Sequence, residues 1–124
     1  MIELEGVERE ERSMVTVFVF ERHTAADCPA RNEISGKIFG ELGMKGQELC
    51  KKHGIKFVGA WILHPEHLII YQYDAPSMDA YIQLEREPLM VKWRLFTDAK
   101  FKMGITMEDA MKTLAAAAIV IPAK

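Results

Sequence analysis

The chain has 124 residues, of which 49% are hydrophobic and 27% are charged, with a formal net charge of −2. This length suits one folded domain and is short for two, and the balanced charge excludes a broad attraction for nucleic acid or for an anionic membrane. The N-terminus has no cationic start before an apolar run, and the longest apolar run is too short to cross a bilayer. We therefore expect a cytoplasmic protein whose two cysteines are free thiols.

The first half of the chain predicts a strand, a helix and another strand behind a charged arm. Residues 1–13 are mostly charged and predict an N-terminal arm. The β-branched and aromatic run 14–22 predicts the first strand. Apolar residues at helical spacing then predict a helix, weakened by four glycines, that ends at His53 and Gly54. Residues 55–63 predict the second strand.

The second half predicts the remaining elements of one α+β domain. Residues 67–73 predict a third strand that forms a hairpin with the second through a turn containing Pro65. Ser77 is the expected N-cap of a second helix that ends at Pro88, and 95–103 predicts a weaker fourth strand. The order β-α-β-β-α-β is that of a ferredoxin-like plait. We assign residues 14–105 to this plait and residues 106–124 to a C-terminal helix and an apolar tail.

The predicted strands are apolar on both faces. In the first strand Val17 and Val19 point one way while Phe18 and Phe20 point the other. In the second strand one face is expected to carry Ile55, Phe57 and Trp61, and the other Val58, Ala60 and Ile62. Two helices cover only one face of a plait, so the other face needs a different cover. A second copy packed sheet to sheet buries both exposed faces at once, which predicts a homodimer or a higher homo-oligomer.

Metal-ligating side chains concentrate at one end of the predicted sheet. The first and third strands of a plait are adjacent and antiparallel, so His23, which follows the first, approaches His67, which begins the third. His64 arrives with the end of the second strand, and Cys28 can fold back over the same edge. Imidazole and thiolate suit Ni, Zn, Cu or Fe, so these four residues form a candidate metal site. The alternatives are that His64 only builds the turn, that the other histidines bond to backbone, and that Cys28 is a packed apolar residue.

Aromatic side chains form a second candidate site. They lie on the predicted strands and beside the fourth one, and they could line a cavity that holds a small aromatic molecule, with tyrosine hydroxyls as orienting polar groups. The alternative is ordinary core and dimer interface. The candidate pocket residues are Phe20, Trp61, Tyr71, Tyr73 and Trp93.

The segment from Val15 to Met107 resembles small uncharacterised proteins of the dimeric α/β-barrel superfamily. The matching features are the strand that ends in His23-Thr24 with Cys28-Pro29 just beyond, Gly54 before the second strand, Pro65-Glu66-His67 in the hairpin, and the segment 74–77 before the second helix. The resemblance implies the ferredoxin-like fold and a dimeric α/β barrel. The superfamily includes antibiotic-biosynthesis-type monooxygenases, muconolactone-isomerase-like enzymes, haem-binding members and small nickel-binding proteins.

Three functions are compatible with these observations. The favoured hypothesis is a dimeric module that binds a transition metal, or a small ligand, at the histidine and cysteine site. The alternative is a cofactor-light oxygenase or isomerase acting on a small aromatic substrate, with His23 or His67 as base. A third hypothesis is an interaction module whose apolar second face binds another chain.

Overall fold

The computed structural model describes residues 14–120, with side chains described through residue 116. The predicted arm at 1–13 and the end of the predicted tail at 121–124 lie outside these residues. The elements in chain order are β1 Val15–Arg22, α1 Glu33–Lys52, β2 Lys56–Leu63, β3 Leu68–Ala75, α2 Met78–Glu85, α3 Pro88–Arg94, β4 Asp98–Gly104 and α4 Met107–Val120. In the described part of the chain, no helix combines the length and the apolar character needed to cross a membrane.

The four strands form one antiparallel sheet in the order β2-β3-β1-β4. The central strands β1 and β3 pair along their whole length, from Val15 opposite Ala75 to Arg22 opposite Leu68. This α+β arrangement, with a four-stranded antiparallel sheet and four helices, is consistent with a ferredoxin-like fold.

Helix α1 is continuous over 20 residues in spite of its four glycines. It begins where the Asn32 side-chain oxygen accepts hydrogen bonds from the backbone N–H groups of Ile34 and Ser35 at 3.0 and 3.1 Å. It ends at His53, and the next residue, Gly54, has the left-handed backbone (φ 69°) that glycine adopts without a steric penalty. The predicted helix end is confirmed.

The predicted second helix is two helices in the structure. Pro88 stands at the start of α3, where proline is tolerated because the first N–H groups of a helix have no intrahelical acceptor. The predicted fourth strand begins at residue 95, whereas in the structure Trp93 and Arg94 end α3 and β4 begins only at Asp98. This difference brings Trp93 and Arg94 over the sheet.

The core lies on the sheet face that α1 and α2 cover. Strand β1 contributes Val17 and Val19 to it, and Tyr73 of β3 packs with Tyr81 and Leu84 of α2. All five side chains are buried.

A β-bulge in β2 separates two aromatic residues that alternation placed on one face. The register shifts between Phe57 and Gly59, so that Phe57 lies opposite Tyr73 on the core face and Trp61 lies opposite Ile70 on the other face. One extra residue in a strand reverses the direction of every side chain that follows it.

The second face of the sheet, which we call the open face, carries Phe18, Phe20, Trp61 and Ile70. Phe18, Phe20 and Ile70 are half-buried, whereas Trp61 is 51% exposed. Lys102 crosses this face with its Nζ atom 5.8 Å from the centre of the Phe20 ring.

Candidate functional site

Three of the four predicted metal-ligating residues come together at one end of the sheet. Ligand atoms of His23, Cys28 and His67 all lie within 4.8 Å of one another. His23 and His67 meet because β1 and β3 are antiparallel, and the His23 backbone N–H donates to the His67 carbonyl oxygen at 3.2 Å. Cys28 reaches them from the loop that leads into α1, where its carbonyl oxygen accepts two hydrogen bonds from backbone N–H groups.

The two imidazoles of this cluster face each other directly. The distance from His67 Nδ1 to His23 Nε2 is 3.2 Å, and the rings meet edge to face with their centres 5.1 Å apart. His67 has a left-handed backbone (φ 53°), an uncommon conformation for a residue with a side chain, although histidine tolerates it better than bulky residues do. Cys28 is only 5% exposed, so the cluster is partly closed to solvent.

His64, the fourth predicted ligand, lies outside this three-residue group. It is close enough to affect the cluster electrostatically. Burial lowers the pKa of His23, and the charges of His67 and His64 lower it further, while Asp27 opposes them. The arrangement therefore favours the neutral form of the His23 imidazole.

One atom of the cluster has no partner. The Nδ1 atom of His23 is buried, and no group in the described part of the chain forms a hydrogen bond with it. Buried polar atoms without partners are rare, and a bound water molecule is a common explanation.

A second site lies between the core face of the sheet and the helices. It is a cavity of about 220 Å³. Of the five predicted pocket residues, Tyr71, Tyr73 and Trp93 line it, whereas Phe20 and Trp61 lie on the open face and do not. The remaining lining residues are Glu21, Phe39, Leu42, Gly43, Gly46, Gln47, Leu49, Cys50, Phe57, Leu84, Met90 and Arg94.

Glu21 is the chief polar residue of this second site, and the sequence argument missed it. Its side chain has no solvent exposure. One carboxylate oxygen accepts a hydrogen bond from the Tyr71 hydroxyl at 3.0 Å, and the other accepts hydrogen bonds from the Trp93 indole N–H at 2.7 Å and from Arg94 Nη1. The signal was present in the sequence, since Glu21 continues the inward-facing positions of Val17 and Val19 at a period of two.

Arg94 connects two carboxylates. Its Nε and Nη2 atoms donate to the two oxygens of Glu85 at 2.7 and 3.0 Å, and Nη1 donates to Glu21. Burial raises the pKa of Glu21 while the Arg94 guanidinium opposes that rise. Burial by itself lowers the pKa of Arg94, but its hydrogen bonds and charge interactions with Glu85 and Glu21 raise it overall. Burial also raises the pKa of Tyr71 above its ordinary value.

No protein-family model matches the chain, and no curated protein matches it. Among solved structures, a NIPSNAP family protein of unknown function from Agrobacterium tumefaciens is similar, with a TM-score of 0.51 and 20% identity over 73% of this chain and 86% of that one. A conserved protein of unknown function from Bacteroides thetaiotaomicron, described as a possible oxidoreductase, has a TM-score of 0.51 and 9% identity over 73% of this chain and 95% of its own. At these identities the similarity supports the α+β fold alone.

Proposed function

We propose that this protein binds a divalent transition metal ion, such as Ni, Zn, Cu or Fe, through His23, Cys28 and His67. The observation that carries the proposal is the convergence of two imidazoles and one thiol within 4.8 Å. A thiolate with two imidazoles is a ligand set for borderline and soft metals, and a fourth position would stay open for water or a small ligand.

The spacing of the imidazole nitrogens supports this proposal. Metal–nitrogen bonds of about 2.0–2.1 Å in tetrahedral geometry place two ligating nitrogens about 3.3 Å apart. The separation of His67 Nδ1 and His23 Nε2 is 3.2 Å. Two nitrogens at this distance can share a proton, or can bind one ion once the rings turn so that both lone pairs point to the same centre. The Cys28 loop would need to move by about 1 Å to bring the thiolate to its usual bond length.

The first experiment is metal analysis of untagged protein purified under reducing conditions. We expect about one equivalent of metal per chain and a rise in the unfolding temperature when Ni, Zn or Cu is added to protein stripped of metal, because a ligand that binds only the folded state stabilises it. Absence of bound metal together with an unchanged unfolding temperature would contradict the proposal.

The second experiment assigns the ligands with Co²⁺ as a spectroscopic probe. We expect visible bands of low-symmetry Co²⁺ and a near-ultraviolet charge-transfer band that Cys28→Ser abolishes. His67→Ala should remove most of the binding. The matched control is His64→Ala, which changes a neighbouring histidine outside the three-residue group and should leave the spectrum intact. Equal effects of His64→Ala and His67→Ala would refute this ligand assignment.

We also propose that two copies pair through the open face as a homodimer. The support is the half-buried Phe18 and Phe20 and the exposed Trp61, which together form an apolar surface on a sheet. Light scattering should give twice the chain mass, and Trp61→Glu should shift the mass toward one chain. Ile34→Glu is the control, because Ile34 is 64% exposed, more than Trp61 at 51%, but lies on α1. If both variants kept the wild-type mass, this interface would be wrong, and the better hypothesis would be that the open face binds a different protein chain.

The cavity favours a second candidate function, that of an enzyme acting on a small aromatic substrate without a bound organic cofactor. A volume of about 220 Å³ walled by Phe39, Phe57 and Trp93 is large enough for one aromatic ring. Sites for small molecules are typically concave, mostly apolar spaces with a few polar groups, and this cavity has that composition. The test of this candidate is whether a small aromatic molecule binds in the cavity.

A further inference from the structure

We infer that the cavity binds a small monocyclic aromatic molecule that carries a hydrogen-bond donor and no negative charge, with the oxygens of Tyr71 and Tyr73 as its polar contacts. This inference rests on the second candidate function, that the cavity holds a small molecule. It goes beyond that function because it names which end of the cavity recognises the ligand and by which chemistry.

The side chains that line the cavity determine the size and the aromatic character of the apolar part of the ligand. Phe39, Phe57, Met90 and Trp93 surround the space together with leucine side chains. An apolar cavity of about 150 Å³ is enough to hold benzene. The present cavity of about 220 Å³ therefore accommodates one substituted ring, and its aromatic walls offer the tilted ring contacts that such a ligand prefers.

The partners of Glu21 fix the direction of the Tyr71 hydroxyl. The Trp93 indole and the Arg94 guanidinium can only donate, so both must place their hydrogens on the one Glu21 oxygen that they contact. The other Glu21 oxygen receives the Tyr71 hydroxyl hydrogen at 3.0 Å. With its hydrogen committed, the Tyr71 oxygen has only lone pairs to offer, so it accepts a hydrogen bond from a ligand.

Tyr73 supplies a second polar group in the same cavity. Its side chain is 7% exposed and lines the cavity beside Tyr71, with the two rings stacked at 6.2 Å between centres. A tyrosine hydroxyl beside a cavity usually forms a hydrogen bond with a polar group of the molecule that fills the cavity, so the ligand can supply this partner.

The charged side chains at this end of the cavity disfavour an anionic ligand. The charged side chains that line this end of the cavity are the Glu21 carboxylate and the Arg94 guanidinium, and they form an ion pair with each other. Glu85, which is 16% exposed and does not line the cavity, forms the second ion pair of Arg94. Arg94 already has hydrogen bonds to both carboxylates and to Thr97, so it has little capacity left to bind a ligand carboxylate. A phenol or an aromatic amine fits this end, whereas a benzoate does not.

The test uses fluorine NMR of four probes with the full chain. 4-Fluorophenol and 4-fluorotoluene differ only in a hydroxyl or methyl group, 4-fluoroanisole can accept but not donate, and 4-fluorobenzoate carries the negative charge. We expect 4-fluorophenol to bind about three- to tenfold more tightly than 4-fluorotoluene and 4-fluoroanisole, which is the factor that one net hydrogen bond provides. We expect the benzoate to bind most weakly.

Variants assign the contact to the two tyrosines. Tyr71→Phe and Tyr73→Phe should each lower the affinity for 4-fluorophenol several-fold and leave 4-fluorotoluene unchanged. The matched control is Tyr81→Phe, because the Tyr81 hydroxyl donates to Glu85 at 2.8 Å and Tyr81 does not line the cavity. This control should retain the wild-type preference for the phenol.

The outcomes separate this inference from the function on which it rests. Equal affinities for 4-fluorophenol and 4-fluorotoluene would overturn the donor preference but leave the cavity as a binding site. Tighter binding of 4-fluoroanisole or of the benzoate than of the phenol would also overturn it. Failure of all four probes to bind would overturn both. Since His67→Ala changes only the metal site, unchanged phenol binding by that variant would confirm that the two sites are separate.

Discussion

Removing the Glu21 carboxylate is the perturbation whose effect on stability can be worked out best from the structure. Glu21 is fully buried and accepts hydrogen bonds from Tyr71, Trp93 and Arg94. Glu21→Ala removes all three acceptor contacts. Glu21→Gln keeps the shape and one acceptor oxygen, which can still serve Trp93 and Arg94, but it removes the charge.

Loss of the carboxylate in Glu21→Ala costs a different amount of free energy at each of the three donors. The Trp93 indole N–H is buried and becomes unpaired, at about 1–3 kcal/mol. Arg94 loses a charge-assisted hydrogen bond, at about 1.5–3 kcal/mol, but keeps its two bonds to Glu85. The Tyr71 hydroxyl can turn into the cavity and loses little. We therefore expect Glu21→Ala to lower the free energy of unfolding by about 4 kcal/mol and Glu21→Gln to lower it by about 2 kcal/mol.

Urea unfolding followed by circular dichroism, at one fixed protein concentration, measures both losses. The control is Glu33→Ala, because Glu33 forms only an exposed pair with Lys37 and its loss should change stability by less than about 0.5 kcal/mol. A Glu21→Ala variant whose stability matched that of Glu33→Ala would refute the claim that this carboxylate holds the network together.

Three further predictions concern other parts of the molecule. Gly36→Ala should destabilise the protein, since a Cβ atom there would lie 2.8 Å from a backbone oxygen of the preceding loop. Gly40→Ala should instead stabilise it by about 0.5–1 kcal/mol, because the added Cβ meets open space. Urea unfolding of the two variants measures both changes. In limited alkylation followed by mass spectrometry, Cys28 should react before Cys50, because burial raises the pKa of the Cys50 thiol to about 11. Added metal should slow the labelling of Cys28 alone. Equal and slow labelling of both cysteines would count against the metal site. Hydrogen bonds from Lys52 and His53 lower the pKa of Glu87. Its contribution to the free energy of unfolding is therefore complete above the ordinary pKa of a glutamate and is lost as the pH falls through the lowered value. The stability difference between the wild-type protein and Glu87→Gln should be largest near neutral pH and vanish in acid.

The histidine and cysteine cluster could be predicted from the sequence because the geometry of an antiparallel sheet brings its residues together. Strand alternation and antiparallel pairing are sufficient to bring His23 beside His67, because adjacent central strands place the end of one next to the start of the other. Cys28 reaches the pair because it lies only five residues after His23 in the loop that leads to α1. The cavity was predicted only in part, since Tyr71, Tyr73 and Trp93 were assigned to it while its principal carboxylate was not.

The sequence by itself determined the elements whose signals are local. The period-two pattern of β1, the Ser77 cap of α2 and the left-handed Gly54 each depend on residues within one turn or one strand of one another. Local steric and hydrogen-bonding preferences decide such features before any tertiary contact forms.

Tertiary structure decided the features whose partners are distant in the chain. Glu21 became a buried acceptor because Tyr71, Trp93 and Arg94 approach it from 50 to 73 residues away. The bulge that turned Trp61 to the open face depends on the pairing of β2 with β3, which no single-strand pattern records. A buried carboxylate is stable only where other elements supply its donors, so its role is set by the packed fold and not by the residues beside it.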